Sequence, residues 1–400
     1  MSANGTGDVV AVTTAVPGNP PPRALVGEWV FRWEHPEGKE AAAGEGIAAL
    51  LEAHTAQEVP QVLRAVAGSA RLRFEGEVER PPGPWFGGVA FDPYRPSWEG
   101  FPPARWVLPR VLYWSRAGRT FRTEFQGAPP VAVRPHGGAS SPPMDRAGFG
   151  RMVDTALAAI GEGAFEKVVL ARAIDLACSR GPDTIVAALA ARFPTCRTFA
   201  FRSGTATFVG ATPETLLRLE EDTVHTEALA GSASPRDAER LRTSEKDLRE
   251  HRAVVDGIRE ALSPLTDALE IAAAPELVFL ANVVHLRTEI RARRRQGIGL
   301  VDLVEVLHPT PAVGGRPRHR ALSFLAEHEG LVRGWYGGAV GWVGASHAEL
   351  AVALRCALVE EGRARLFVGA GVVRGSTPEG EWRETELKSL PMLEASGGGA

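Results

Sequence analysis

The chain has 400 residues, with 45 basic and 48 acidic side chains and a formal charge of −3. This near-neutral balance excludes the basic excess of a nucleic-acid-binding protein, and 44% apolar residues over this length suffice for a sizeable core. Only four of the basic residues are lysines (Lys39, Lys167, Lys246 and Lys388), a bias under which a retained lysine marks a place arginine cannot serve.

In chain order, residues 1–24 are rich in Gly, Pro, Ala and Thr and read as a disordered tail. Their first 22 positions hold no Lys or Arg, so no basic n-region of a secretory signal is expected. No apolar run approaches the ~18–20 residues of a membrane span. Cys178, Cys196 and Cys356 are far apart and form no CxxC, which fits a reducing cytoplasm. Residues 25–144 read as short strands and turns, among them Ala70–Glu75, Trp85–Asp92 and Arg105–Ser115, ending in a loop over Ala132–Met144. Over 145–394 helices and strands alternate. Helices are predicted at Arg151–Gly161 and Pro182–Arg192, and strands at Phe165–Ala177, Thr198–Arg202, Thr207–Val209 and Leu216–Leu219. Ser244–Ser263 is an amphipathic helix with Ser244 as N-cap. Strands over Leu350–Glu360 and Arg365–Val373, a helix over Glu381–Leu390 and a flexible tail at 395–400 complete the chain. GxxxxGK[ST], HExxH, GxSxG and GxGxxG are all absent.

Several groupings could carry chemistry. Lys167 opens an apolar strand, where desolvation would favour a neutral amine able to act as a base; on this window alone a stem lying along the strand with its amine in water is the simpler reading. Glu214 follows a Gly210–Pro213 turn and could be a protonated acid or a surface carboxylate. Asp247 with Glu250, and Glu381 with Glu384, are i,i+3 pairs on helices. Together they could hold Mg²⁺, which needs only one or two carboxylates beside water and substrate oxygens; two solvated helix faces are the alternative. Alternation would put Ala351, Ala353, Arg355 and Ala357 on one strand face, leaving room for Arg355 to bind a carboxylate or pair at a strand end. Small-residue segments at 228–232, 310–315 and 369–371 allow close backbone approach to an anion, or are ordinary turns.

The order and wording of these segments say more than each does alone. FEKVVLAR (165–172), FVGATPETLLRL (208–219), TEALAGS (226–232), SEKDLREH (244–251), HLRT (285–288), LHPTPAVGG (307–315), YGGAVGW (336–342), VALR (352–355), GAGVVRGSTPEGEW (369–382) and RETELK (383–388) resemble the chorismate-utilising enzymes. That family includes isochorismate, salicylate, anthranilate and aminodeoxychorismate synthases. The resemblance implies an α+β fold with a single large chorismate-binding domain over 25–394, two β-sheets packed face to face and covered by helices in four layers. It also implies roles. Lys167 would activate water for attack at C2 of chorismate, and Glu214 would protonate the departing C4 hydroxyl. Glu250 and Glu384 would be the principal Mg²⁺ ligands, flanked by Asp247 and Glu381. Arg355, with backbone near Tyr336 and Gly371, would clamp the side-chain carboxylate, and Lys388 would sit beside the metal and ring carboxylate. Thr226, Gly231 and His285 would line the pocket.

Within the family, the HPTPAVGG form of the 308–315 block resembles isochorismate synthases, and a lysine at 167 fits water as nucleophile. Salicylate synthase is the second reading, and an inactive chorismate-binding protein the third. The implied setting is a monomer without a glutaminase subunit, nucleic acid or membrane, feeding menaquinone or catecholate siderophore biosynthesis.

Overall fold

In the computed structural model, which describes residues 9–25, 27–68, 72–75, 79–126 and 136–398, two large sheets organise the chain. The first has twelve strands and is antiparallel except at one edge. Its functional end begins with Gly315–Arg316, then Lys167–Ala177, Arg363–Val373, Cys356–Glu360, Ala206–Thr212 and Arg197–Ser203. The second has ten strands, with Val284–Arg294, Thr223–Ala233, Thr215–Glu220, His347–Val352 and Ala339–Val343 adjacent in that order. Inner faces meet through aromatic side chains. Phe31 from the first sheet stacks on Phe86 from the second with ring centroids 3.9 Å apart, and Trp98, Phe101, Phe208 and Trp335 continue the layer edge to face.

Helices cover both outer faces. Arg146–Gly161, Pro182–Arg192 and Pro378–Ser396 lie on the first sheet; Val59–Ala67, Glu245–Leu262 and Leu300–Leu307 lie on the second. Their starts follow local chemistry. Asp145 and Thr377 accept the Gly148 and Gly380 amides as N-caps, and Pro182 occupies a first-turn position where its missing N–H costs nothing. The four-layer architecture expected from the resemblance is the one observed.

Three expectations are corrected. Of the tail expected over 1–24, Val9–Ala15 is instead a strand, paired with Arg119–Gln126 and with Leu72–Glu75; its run of Val and Thr is a strong strand former beside Gly and Pro. Residues 1–8 lie outside the described residues, as do 132–135 of the expected loop. The strand expected over Leu350–Glu360 is two strands, His347–Val352 in the second sheet and Cys356–Glu360 in the first. The chain changes sheets at Arg355, whose φ of 48° breaks the alternation, so Ala351, Ala353, Arg355 and Ala357 do not share a face. The last helix runs past Leu390 to Ser396 despite Pro391, and Gly397 (φ 81°) caps it. Pro391 has no N–H for the carbonyl of Leu387, and Asn282 Nδ2 donates to that oxygen instead at 2.7 Å.

Candidate active site

Two sheet-to-sheet crossings lie side by side and place the first functional groups. At one, Ala206–Thr212 of the first sheet leads through Pro213 and Glu214 into Thr215–Glu220 of the second. At the other, His347–Val352 leads through Arg355 into Cys356–Glu360. They are laced together: Val352 N donates to Glu214 O (3.0 Å), Ala211 N to Arg355 O (3.1 Å) and Thr212 Oγ1 to Val352 O (2.6 Å). Gly337 N also donates to Ala353 O at 2.9 Å, which brings Tyr336 alongside. The cleft between these crossings holds about 620 Å³ of space not filled by atoms, the open solvent at its mouth included. Glu214, Gly231, Glu250, His285, Tyr336, Arg355, Gly371 and Lys388 all line it.

Lys167 lies directly behind the cleft wall, with its side chain fully buried. Its Nζ is 3.2 Å from Glu250 Oε1, an ion pair without hydrogen-bond alignment. Gly371 faces this pair from the neighbouring strand. A Cβ there would overlap Glu250 Oε1 and lie 3.0 Å from Lys167 Cε, so glycine makes the space for both. His251 fixes the helix that carries Glu250: its ring nitrogens meet Ala230 O (3.3 Å) and Thr288 Oγ1 (2.7 Å) on two strands of the second sheet. Burial lowers His251 to about 4, so it is a neutral strut.

The other carboxylates have lysines of their own. Lys388 Nζ bonds Glu384 Oε1 at 2.6 Å, and Lys246 Nζ lies 2.7 Å from Glu381 Oε1. Three of the chain's four lysines thus face Glu250, Glu381 and Glu384. Burial would raise Glu384, but Lys388 and Lys246 outweigh it and bring it down to about 2. Glu381 goes the other way, to about 7, through burial and repulsion from Glu384. Burial also raises Asp247, which stands beside Gly231. Among the described residues Glu250 Oε2 and Glu381 Oε2 are buried without a hydrogen-bond donor, while Glu381 Oε1 faces the Lys246 ammonium. Among the described residues no three His, Cys, Asp or Glu side chains are gathered closely enough to hold an ion as they stand.

Glu214 carries the largest chemical signal. Burial, then repulsion from Glu227, pushes its carboxyl up to about 8, so it is protonated at neutral pH. The Thr310 hydroxyl is 3.4 Å from its Oε1. Arg355 Nη2 is 3.0 Å from His285 Nε2. A guanidinium only donates, so Nε2 accepts and Nδ1 carries the hydrogen, facing Gly231 O at 3.1 Å. Burial and Arg355 lower His285 to about 3, which keeps it neutral in that tautomer. His285 therefore aims Arg355, and Gly231, held at φ 77° in a strand bulge, aims His285.

One expected pocket residue is elsewhere. Thr226 gives its hydroxyl to Leu216 O at 2.7 Å and borders an outer groove with Arg197, Thr215 and Arg287. Strand alternation turns it away from the cleft. Conversely, the expectations gave no individual role to Ser232, 3.1 Å from His285 Nδ1, or to Thr310, and did not pair Lys246 with Glu381. Lysine scarcity was the available signal for Lys246.

Residues 126–397 match the family model described as chorismate binding enzyme. A "Salicylate biosynthesis isochorismate synthase" from Pseudomonas aeruginosa is 36% identical over 94% of this chain and 87% of its own length. The chain belongs to the chorismate-binding enzymes. Isochorismate synthase EntC of Escherichia coli is 32% identical over 78% of this chain and 80% of EntC. The structure of MenF, the menaquinone-specific isochorismate synthase of Escherichia coli, superposes with a TM-score of 0.78, 26% identity and coverage of 97% and 94% of the two chains. Anthranilate synthase component I from Streptococcus pneumoniae, at 20% identity and a TM-score of 0.71 over 92% and 90% of the two chains, shares the fold. No helix of the described residues is long and apolar enough to cross a membrane.

Proposed function

We propose that this chorismate-binding enzyme is an isochorismate synthase, adding water at C2 of chorismate and expelling the C4 hydroxyl as water. The observation that supports the reading is the placement of a protonated, buried glutamate and Arg355 in one cleft with a fully buried lysine directly behind its wall. Arg355, aimed by His285, binds the side-chain carboxylate, and Lys388 faces the ring carboxylate. Tyr336, whose ring stacks on Phe367, walls the cleft near Gly369. Glu214 delivers its proton to the C4 oxygen as that bond breaks. Lys167 takes the proton from the attacking water. Glu250 serves Lys167 as counter-anion.

The donor set fits Mg²⁺. Its carboxylates are hard oxygen donors and Glu250 Oε2 is buried without a hydrogen-bond donor, although among the described residues the side chains are not gathered around one point as they stand. Glu250 and Glu384 would hold the ion with Asp247 and Glu381 flanking, and it would supply alignment and charge neutralisation for a substrate carboxylate. The protein acts without a glutaminase subunit, as a monomer, and its three buried free cysteines suit a reducing cytoplasm. Lys167→Ala and Glu214→Ala should each abolish turnover while chorismate still binds by calorimetry. Isochorismate formed at an undiminished rate by either variant would refute the assignment.

A further inference from the structure

The strand that carries Lys167 is covered along one side by Arg363–Val373, but on the other only Lys167 and Val168 meet a strand, Gly315–Arg316. Val169 N is still served, by Gly314 O at 3.0 Å. The next outward groups, Val169 O and Ala171 N, have no strand to meet. Left bare and buried, each would lose its bond to water with nothing in return.

A side-chain ion pair stands in for the missing strand. Arg333 Nη2 donates to Val169 O at 2.6 Å, and Glu329 Oε1 accepts from Ala171 N at 2.8 Å. The two side chains, each 4% exposed, bond each other through Nε to Oε2 (2.7 Å) and Nη2 to Oε1 (2.6 Å). The remaining fork nitrogen, Nη1, donates to Val313 O at 2.8 Å, and the guanidinium lies 4.1 Å from the Phe91 ring centroid. Val313 lines the cleft, in a turn that Val313 N and Gly314 N close on Thr310 O. That same Thr310 touches Glu214.

One guanidinium therefore spans the base strand on one side and the acid's loop on the other. We infer that Arg333, oriented by Glu329, is the positioning residue that fixes Lys167 and Glu214 relative to one another. It reaches neither the cleft nor the reacting atoms. Its consequence for catalysis rests on the isochorismate synthase reading; the clamp itself does not. Lysine cannot replace it, because a single ammonium lacks the planar fork needed to reach both carbonyls and Glu329 together.

The test compares Arg333→Lys with Arg105→Lys. Arg105 is likewise buried in an ion pair, with Glu52, but at the far edge of the second sheet. Hydrogen exchange should quicken over 309–315 and 168–171 in Arg333→Lys alone. Its kcat should fall about tenfold to hundredfold, the scale of a 1 Å misplacement, with KM for chorismate within about threefold. Arg105→Lys should lose thermal stability and keep its kcat within about twofold. Should Arg333→Lys not fold, Glu329→Gln keeps the shape and an oxygen for Ala171 N, and should show the same kcat-against-KM split in smaller measure. Unchanged exchange over 309–315, an unchanged kcat in a folded variant, or an equal kcat loss in Arg105→Lys overturns the inference. If the wild type makes no isochorismate, the functional reading falls, and exchange alone decides whether the clamp exists.

Discussion

Replacing Glu214 by Gln removes the acid without changing its shape, and should stabilise the protein in a pH-dependent way. The native carboxyl sits at about 8 instead of 4.5, because burial and Glu227 oppose its charge. The native state therefore holds this proton more tightly than the unfolded chain does. Stability falls as pH rises from about 4.5 to 8 and then levels. At about 1.4 kcal/mol per pH unit, the full penalty is on the order of 5 kcal/mol, and nearer 2–3 where water enters the cleft to solvate the anion. Gln carries no such penalty. Denaturant midpoints of Glu214→Gln and wild type should coincide near pH 4.5 and diverge in the variant's favour up to pH 8. The other shifted groups, His251, His285, His308 and Glu381, are common to both proteins. The variant should nevertheless be inactive, since an amide has no proton to give. Parallel midpoint curves across this range would refute a protonated Glu214.

The same carboxyl sets an alkaline limb: wild-type kcat should decline as pH rises through about 8, read from initial rates of isochorismate formation. Arg355→Lys keeps a charge but loses the two-pronged fork, and should raise KM for chorismate by about tenfold, roughly 1.4 kcal/mol, in steady-state kinetics. Gly371→Ala should fold, because the clashing Glu250 carboxylate is the mobile end of a side chain, yet lose at least about tenfold in kcat as Glu250 and Lys167 are forced apart. Asn282→Ala strips the side-chain donor from the Leu387 carbonyl and should cost about 1–2 kcal/mol in denaturant unfolding.

Much of the site was legible because its chemistry is local. Lys167 at the head of an apolar strand, Glu214 after a Pro turn and the i,i+3 acidic pairs each announce themselves over a few residues, and their order announces the family. What was illegible is what tertiary structure adds. Nothing near Arg355 says that the chain leaves one sheet for the other there, because the apolar pattern continues through Ala353 and Cys356 on either side. Thr226 sits in a recognisable motif, but its alternation phase is set by strand pairing with Val284–Arg294, which is 58 or more residues away. The Lys246–Glu381 pair and the Arg333 clamp join segments more than 130 residues apart, beyond any window of periodicity. Val9–Ala15 was lost to averaging, its β-branched core diluted by the Gly and Pro around it.

The central claim is that water, activated at Lys167, replaces the C4 hydroxyl of chorismate protonated by Glu214. Chromatography of the products from purified protein, chorismate and Mg²⁺ tests it most directly. The account predicts isochorismate as the product, reached also as an equilibrium mixture starting from isochorismate, and no product from Lys167→Ala. Salicylate as the end product, or chorismate left unchanged by the wild type, would contradict it.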